Sequence, residues 1–446
     1  MTRTGDSLPS VEAIAPWMAR QRWFGAKSRR IEAIVIADAI RIGGGALVLA
    51  DVELDGGERQ RYAMPLMAGR EIGDALGDAD FCRALTSLLA RAGAATGERG
   101  EIHGVPATAL VERWAEGPPE HLTARRIGGE QSNTSVVLGE TFMLKHFRKL
   151  VEGDNPEAEI GRFLSERTGF RHTPRLAGHL EYRDARGTTT TLAIMQALVP
   201  DAVDGWQWTL ARLREGDGVA DTVEALRRLG VRTGELHRAL ASDQHDPAFA
   251  PEAITAADVG AWAEAVRAQL ASAGAALGGE AIAIDPTALA AGLASMVGRQ
   301  KIRHHGDFHL GQTLYRPTAG DWMIIDFEGE PLRPPAERRR KHVALRDVAG
   351  LLRSIDYAAV SVDSLAPRRA WEVDASRAFL DGYRRATGAA AFLPESAEAF
   401  RDVVAVFELE KAAYEIVYES NNRPDWVAIP RRGLLTAASR LRRTAA

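Results

Sequence analysis

The pattern of apolar and polar positions divides the chain into stretches of different character. From Ile31 to Met67 short apolar runs break at glycine clusters: Ile31–Ala39, Ala46–Leu54 and Arg59–Met67 predict strands, separated by Gly43-Gly44-Gly45 and Asp55-Gly56-Gly57. Those glycines supply the positive φ angles of tight turns. A helical run, Asp80–Leu89, lies between polar, Gly-containing stretches, and a first boundary is expected near Gly100. Leu122–Ile127, Ser135–Leu138 and Thr141–Phe147 predict a second sheet around the polar loop Gly128–Thr134. A helix then opens at Asn155-Pro156, capped by Asp154 or Asn155, with Ile160, Phe163 and Leu164 as its apolar stripe. Leu180–Tyr182 and Thr191–Met195 complete this part.

From about Asp201 the pattern turns helical. Asp221–Leu240 carries Val223, Leu226, Leu229, Leu236 and Leu240 on one stripe, the periodicity of a helix with one face in a core. Between Ile302 and Phe327 two short strands flank a polar insert, and helices resume over Ala344–Ala359 and Ser396–Ser420. The expected organisation is a β-rich N-terminal cap (1–100), a small β-rich lobe with one helix (101–200) and a helical large lobe (201–446). A chain of this length exceeds one ordinary core.

Composition narrows the function classes. Lys and Arg number 56 against 60 Asp and Glu, a net charge of -4, which gives no basic field for nucleic acid or an anionic membrane surface. An anionic ligand must then be held by a few placed cations, dipoles or metal ions. Cys82 is the only cysteine, so no intrachain disulfide or thiolate cluster can form, and it reads as a small buried hydrophobe. The N-terminal stretch Met1–Ser10 is polar and no stretch approaches the ~18 uncharged apolar residues of a membrane helix. A cytoplasmic protein is expected.

The most informative segments are Arg303-His304-His305-Gly306-Asp307-Phe308-His309-Leu310-Gly311-Gln312 and Ile324-Ile325-Asp326-Phe327-Glu328-Gly329-Glu330-Pro331. Four residues separate Asp307 from Gln312, the spacing of the base Asp and metal-binding Asn in a protein-kinase catalytic loop. Asp326 ends an apolar strand and precedes Phe327, as the metal-binding Asp of a DFG element does. Phosphoryl transfer to an alcohol needs a carboxylate for the hydroxyl proton, oxygen ligands for magnesium and a cation for the phosphates. Asp307 is the expected base, with Gln312, Asp326 and Glu328 as magnesium ligands; hard oxygen donors suit that ion. Burying three carboxylates together without a cation would be costly, which weighs against a purely structural reading. His305 and His309 are expected to hold loop geometry by hydrogen bonds, His309 beside the substrate.

The phosphate cation should come from the β-rich region. Lys145 lies in the strand Thr141–Phe147, on the side of Met143 and Phe147. Glu159 is the expected ion-pair partner, with Glu157 next. Gln131, Ser132, Asn133, Thr134 and Ser135 lie in or beside the Gly128–Thr134 loop, which could cradle ATP phosphates through backbone N–H groups and hydroxyls, although it lacks a full G-x-G-x-x-G pattern.

With these motifs in hand, the chain resembles the actinobacterial maltokinases, within the superfamily of aminoglycoside phosphotransferases and choline kinases. The resemblance rests on Gln21–Lys27, Glu130–Ser135, His305–Gln312, Ile325–Pro331, Leu345–Gly350 and the tail from Glu410-Lys411 to Asn422-Arg423-Pro424-Asp425-Trp426. It implies an α+β, two-lobe, eukaryotic-protein-kinase-like (aminoglycoside phosphotransferase) fold with an N-terminal cap domain. It also implies ATP with Mg²⁺, and maltose phosphorylated to maltose 1-phosphate for α-glucan (glycogen-type) synthesis. Association with a trehalose/maltose-converting enzyme is implied by the resemblance alone. Gln312 stands where the wider superfamily has Asn, and still offers a carbonyl oxygen. The Gln21–Lys27 motif reads as aromatic packing and a turn.

The helix ending near Ser420 carries Lys411, Tyr414, Glu415 and Tyr418 at three- and four-residue spacing, followed by Arg423 and Trp426. This group is the expected sugar site, with Trp426 as platform; a helix of packed tyrosines and solvated charges is the competing reading. Arg338-Arg339-Arg340-Lys341 reads as a solvated face and Arg346-Asp347 as a structural pair. Kinases for other sugars, especially glucosamine, share such a centre, and Glu415 and Glu419 keep an amino-sugar acceptor open. A non-catalytic nucleotide-binding protein would be expected to lack one of Asp307, Gln312, Asp326 or Lys145, and all four are present.

Overall fold

The computed structural model describes residues 9–67, 69, 72–114, 117–128, 132–216, 218–279, 284, 286–330, 333–362 and 368–444. They form two compact units. One takes in the described residues up to Arg167 together with Pro174–Val199; the other takes in Thr168–Thr173 and the described residues from Pro200 onward.

The first unit contains α1 (Val11–Ala19), β1 (Ile31–Ile42), β2 (Gly45–Leu54), β3 (Arg59–Met67), α2 (Ala79–Ala90), β4 (Ala94–Thr96), β5 (Gly100–Pro106) and α3 (Thr108–Trp114). It continues with β6 (Ala124–Arg126), β7 (Asn133–Leu138), β8 (Phe142–Phe147), β9 (Lys149–Leu150), α4 (Pro156–Arg167), β10 (Leu176–Asp184) and β11 (Thr189–Ala197). A four-stranded sheet runs β1-β2-β3-β9 and a seven-stranded sheet runs β4-β5-β10-β11-β8-β7-β6. The turn between β1 and β2 is closed by Gly43 at φ 53°, which pairs Ile42 with Gly45.

The boundary expected near Gly100 does not part the two sheets. It falls inside the β4–β5 hairpin, where Thr96 pairs with Glu101, and one core holds Leu47, Leu49 and Phe81 together with Val136, Leu144 and Leu180. Two buried charges fasten the same region. Asp38 on β1 accepts hydrogen bonds from the Glu98 and Arg99 amides and the Tyr182 hydroxyl at 2.9, 3.1 and 2.9 Å. Arg148, fully buried, donates to Asp74 at 2.5 Å and to Thr134 Oγ1 at 2.9 Å. The Arg148 guanidinium also lies 5.0 Å from the ring of Trp23. Trp23 and Phe24 pack on Tyr62, so the Gln21–Lys27 motif does form the aromatic cluster expected of it. Cys82 is buried, and burial pushes its thiol up to about 12.

The second unit contains β12 (Val203–Asp204), α5 (Gly205–Arg214), α6 (Val219–Leu240), β13 (Glu252–Ala253), α7 (Ala256–Ala276), α8 (Pro286–Ala294) and β14 (Gln300–Lys301). After these come β15 (Thr313–Arg316), β16 (Asp321–Ile324), α9 (Pro335–Arg338), α10 (Leu345–Val360), α11 (Arg368–Thr387), α12 (Ala397–Asn422) and α13 (Ala428–Thr444). β12, β15 and β16 form a small antiparallel sheet. Trp322 of β16 is fully buried and donates its indole N–H to the Ala225 carbonyl of α6 at 2.7 Å. Among the described residues, no helix is long and apolar enough to cross a membrane.

Removing one member of a buried ion pair strands the other charge, at a cost of about 3–5 kcal/mol. Arg148→Ala is therefore expected to lower the unfolding free energy of the first unit by about that amount, read as a lower urea midpoint at unchanged slope. An unchanged midpoint would show that the Asp74–Arg148 contact holds nothing.

Candidate active site

The motif Leu345–Gly350 opens α10, and this helix fixes the loop that carries Asp307. Asp347, 2% exposed, accepts from the His305 amide at 2.7 Å, the Gly306 amide at 2.9 Å and His237 Nε2 at 3.0 Å. One turn on, a Cβ at Gly350 would lie 2.6 Å from the Phe308 carbonyl oxygen, so only glycine lets the helix pass this close. Ser354 Oγ then accepts the Leu310 amide at 3.1 Å. Burial alone would raise the Asp347 carboxyl, but the charge interaction with His304 and the His237 hydrogen bond outweigh it and hold the group below the usual carboxylate range. Arg346 and Asp347, expected to be a structural pair, make their hydrogen bonds to different partners, Arg346 to Glu330 and Glu410.

His305 joins the two motifs. Its Nε2 lies 2.9 Å from the Ile325 carbonyl and must donate there, which leaves Nδ1 to accept from the Asp307 amide at 3.4 Å. The ring lies between Phe308 and Phe327, with centroids 5.2 and 5.0 Å away. The Ile325 amide donates to the Gln312 carbonyl at 3.0 Å, bringing Gln312 to the entry of the Asp326 turn. Asp326 itself sits at φ 66°, a left-handed conformation uncommon outside glycine and one that clusters at functional sites. Partial burial lowers the His309 imidazole, against the pull of Asp307 and, more weakly, Asp326; both carboxylates lie within electrostatic reach of this ring.

Asp307 is largely buried and its Oδ1 accepts from Lys411 Nζ at 3.0 Å. Lys411 also donates to Glu330 at 2.9 Å. Glu330 takes Arg333 at 2.5 Å and Arg346 at 3.1 Å, and both arginines reach on to Glu410. Burial alone would raise the Glu330 carboxyl, but Lys411, Arg346 and Arg333 hold it well below its ordinary range. Burial alone would lower the Lys411 ammonium, and Asp307 and Glu330 reverse that, so its pKa is raised.

In the first unit, Lys145 bonds Glu157 at 2.8 Å with both side chains buried. Glu157, the second candidate, makes this bond, and its amide is held by Asn155 Oδ1 at 2.8 Å at the start of α4; Glu159, the first candidate, is half-buried on the same helix turn. Asn133 and Thr134 belong to β7, paired with Phe147 and His146, and not to a loop. The Thr134 hydroxyl accepts from Arg148, while Ser135 pairs across with Lys145 and is buried. Ser132 is exposed, and Gln131 lies outside the described residues.

Along α12 and the turn after it, Lys411, Tyr414, Tyr418, Arg423 and Trp426 follow one another in ring and cation contacts, and Glu415 turns away. Tyr414 lines a small cavity of about 20 Å³ with Asp307, Glu330 and Lys411, and its ring lies 4.9 Å from Lys411 Nζ. Glu415 turns to α10, where Arg353 donates to it at 3.0 Å. Tyr418 stacks on Tyr414 with centroids 6.5 Å apart, and the Arg423 guanidinium lies 6.0 Å from its ring. Arg423 bonds Glu419 and covers Trp426 at 4.5 Å, with Tyr357 stacked on Trp426 at 6.2 Å. Arg338–Lys341 is not simply a solvated face. Arg338 packs against Gly329 and donates to the Arg333 carbonyl at 2.9 Å, and Lys341 donates to Glu252 at 2.6 Å. These residues border a second cavity of about 710 Å³, which shares Gly306, Glu330 and Glu410 with the smaller one.

Comparison with known proteins adds the following. The maltokinase N-terminal cap domain family matches residues 17–95. A glucosamine kinase of Streptacidiphilus jiangxiensis is 30% identical over 366 residues, 78% of each chain. A glucosamine kinase crystal structure superposes with a TM-score of 0.71 at 25% identity, covering 96% of this chain and 99% of that one. A glucosamine kinase in complex with glucosamine, ADP and inorganic phosphate gives 0.67 at 24%, with the same coverage.

Acid should loosen the loop's support. Burial pushes His304 from 6.5 to about 4, so as pH falls the unfolded chain takes up this proton first. The stability tied to a neutral His304 is present above about pH 6.5 and is lost as pH falls toward 4. Thermal melts across that range are expected to show His304→Gln losing less stability than the parent. Parallel pH profiles would refute it.

Proposed function

The chain belongs to the same family of sugar kinases as the Streptacidiphilus jiangxiensis glucosamine kinase, and we propose that it moves the γ-phosphoryl group of ATP onto the reducing-end hydroxyl of maltose, giving maltose 1-phosphate. The observation that carries the reading is Asp307: a carboxylate on a loop clamped by Asp347, fixed by Lys411 through Oδ1, and joined through His305 to the Asp326 turn.

Asp307 Oδ2 would orient the acceptor hydroxyl and take its proton as the new O–P bond forms and the bond to the ADP oxygen breaks. Lys145, held by Glu157, would bind nucleotide phosphate oxygens. Asp326, Glu328 and the Gln312 side chain are all hard oxygen donors, a set that fits magnesium. When bound there, the ion would neutralise charge on the phosphates. The loop and the charge network supply positioning, which is most of what this reaction asks of a protein.

The maltose reading draws support from the maltokinase cap family matched at residues 17–95 and from the cavity of about 710 Å³, roomier than one hexose needs. Basic side chains outnumber acidic ones eight to five along its wall, poor surroundings for a cationic amino sugar. Glucosamine is the second reading, favoured by the name of the relative. Maltose 1-phosphate would feed α-glucan synthesis.

A panel of sugars with ATP and Mg²⁺, with products identified by phosphorus NMR, is expected to show maltose turnover and a phosphate on the anomeric carbon. Asp307→Asn should lower kcat about 10²- to 10⁴-fold. Preferential glucosamine turnover would remove maltose and leave the mechanism; full activity in Asp307→Asn would remove the base.

A further inference from the structure

The larger cavity has a wall that the mechanism above does not use. Trp262 of α7 lines it, half-buried, and is backed by the His342 imidazole at 4.4 Å with the rings tilted by 32°. Phe407 of α12 supports His342 edge-on at 5.3 Å. Beside this aromatic stack, Glu252 and Asp258 are held by Lys301 and Lys341. His304 lines the same space, 6% exposed, and its Nε2 has no hydrogen-bond partner among the described residues. Buried polar nitrogens without partners are rare.

This is the make-up of a carbohydrate subsite. A pyranose offers an apolar C–H face, which suits a rigid indole, and an equatorial rim of hydroxyls, which suits paired carboxylates, lysines and a neutral imidazole. The cavity adjoins the reacting end: Gly306, Glu330, Arg333, Arg346 and Glu410 line both it and the small cavity beside Asp307 and Lys411. A ring that presents its anomeric hydroxyl to Asp307 would lie beside this space, which would then take the ring that follows.

We propose that the cavity between α7, the 338–342 segment and α12 binds the second sugar ring of a two-ring acceptor, with Trp262 as its stacking platform and His304 Nε2 as a hydroxyl partner. The inference rests on the reading of the chain as a disaccharide kinase, and adds where that specificity is read. Trp262 acts on binding of the distal ring, about two helix turns of α7 removed from the Asp307 side, where Gln269 lines the small cavity.

Maltose binding to the nucleotide-free full chain, measured by calorimetry, is expected to weaken about tenfold in Trp262→Ala, equal to about 1.4 kcal/mol, and to be largely restored in Trp262→Phe. In steady state, the Ala variant should raise KM for maltose and reduce the preference for maltose over glucose about tenfold, with kcat for maltose changing far less. The Phe variant keeps the test valid if the Ala variant melts early. Maltose affinity and preference equal to the parent's in both variants would overturn the subsite while leaving the disaccharide reading in place. A parent protein that phosphorylates glucosamine and neither binds nor phosphorylates maltose would overturn both.

Discussion

A single buried carboxylate, Asp347, accepts the backbone N–H groups of His305 and Gly306 and the ring N–H of His237, and the geometry of the candidate centre depends on it. The loop from His304 to His309 has no sheet partner of its own. Its amides would otherwise be buried without acceptors, an arrangement that native structures avoid. Asp347 satisfies them from the first turn of α10, and Gly350 lets that helix lie close enough to do so. Once the loop is fixed, His305 can reach the Ile325 carbonyl and fasten the Asp326 turn to it.

The second tier is electrostatic. Glu330 and Glu410 hold Arg333, Arg346 and Lys411 in one connected network that ends on Asp307. Buried charges are tolerable when each finds several partners, and removing one leaves the others exposed to the full desolvation penalty. The network therefore sets the orientation of the Asp307 carboxylate more than it adds to stability, and it explains why the tail motif beginning at Glu410-Lys411 sits beside the loop that carries Asp307.

What could be read from sequence follows from range. The spacing of Asp307, Gln312 and Asp326 is local, and the strands β1–β3 and helices α6, α10 and α12 announce themselves through periodicity. Partner choice was less legible. Glu157 and Glu159 share the first turn of α4, and the bond of Glu157 to Lys145 is visible only once the strand and helix are placed in space. Asp347 reads in sequence only as half of a structural pair with Arg346; the signal for its burial is the run Val348-Ala349-Gly350 after it, small and apolar where a solvated face would be polar. Arg338–Lys341 resembled a solvated run because Glu252, the acceptor for Lys341, lies 89 residues away. The cap boundary expected near Gly100 lies close to the end of the cap-family match at residue 95, and the β4–β5 pairing that spans it was not legible in the sequence. The cavity behind Asp307 is assembled from α7, the 338–342 segment and α12, and no local pattern encodes such a meeting.

The most direct test of the central claim is amide hydrogen exchange over residues 304–310 in the parent and in Asp347→Asn, with kcat measured on the same samples. Losing charge-assisted hydrogen bonds of this kind costs about 1.5–3 kcal/mol, so exchange at His305 and Gly306 is expected to quicken about 10- to 100-fold, with a comparable fall in kcat. Protection and turnover that both survive the substitution would contradict the account.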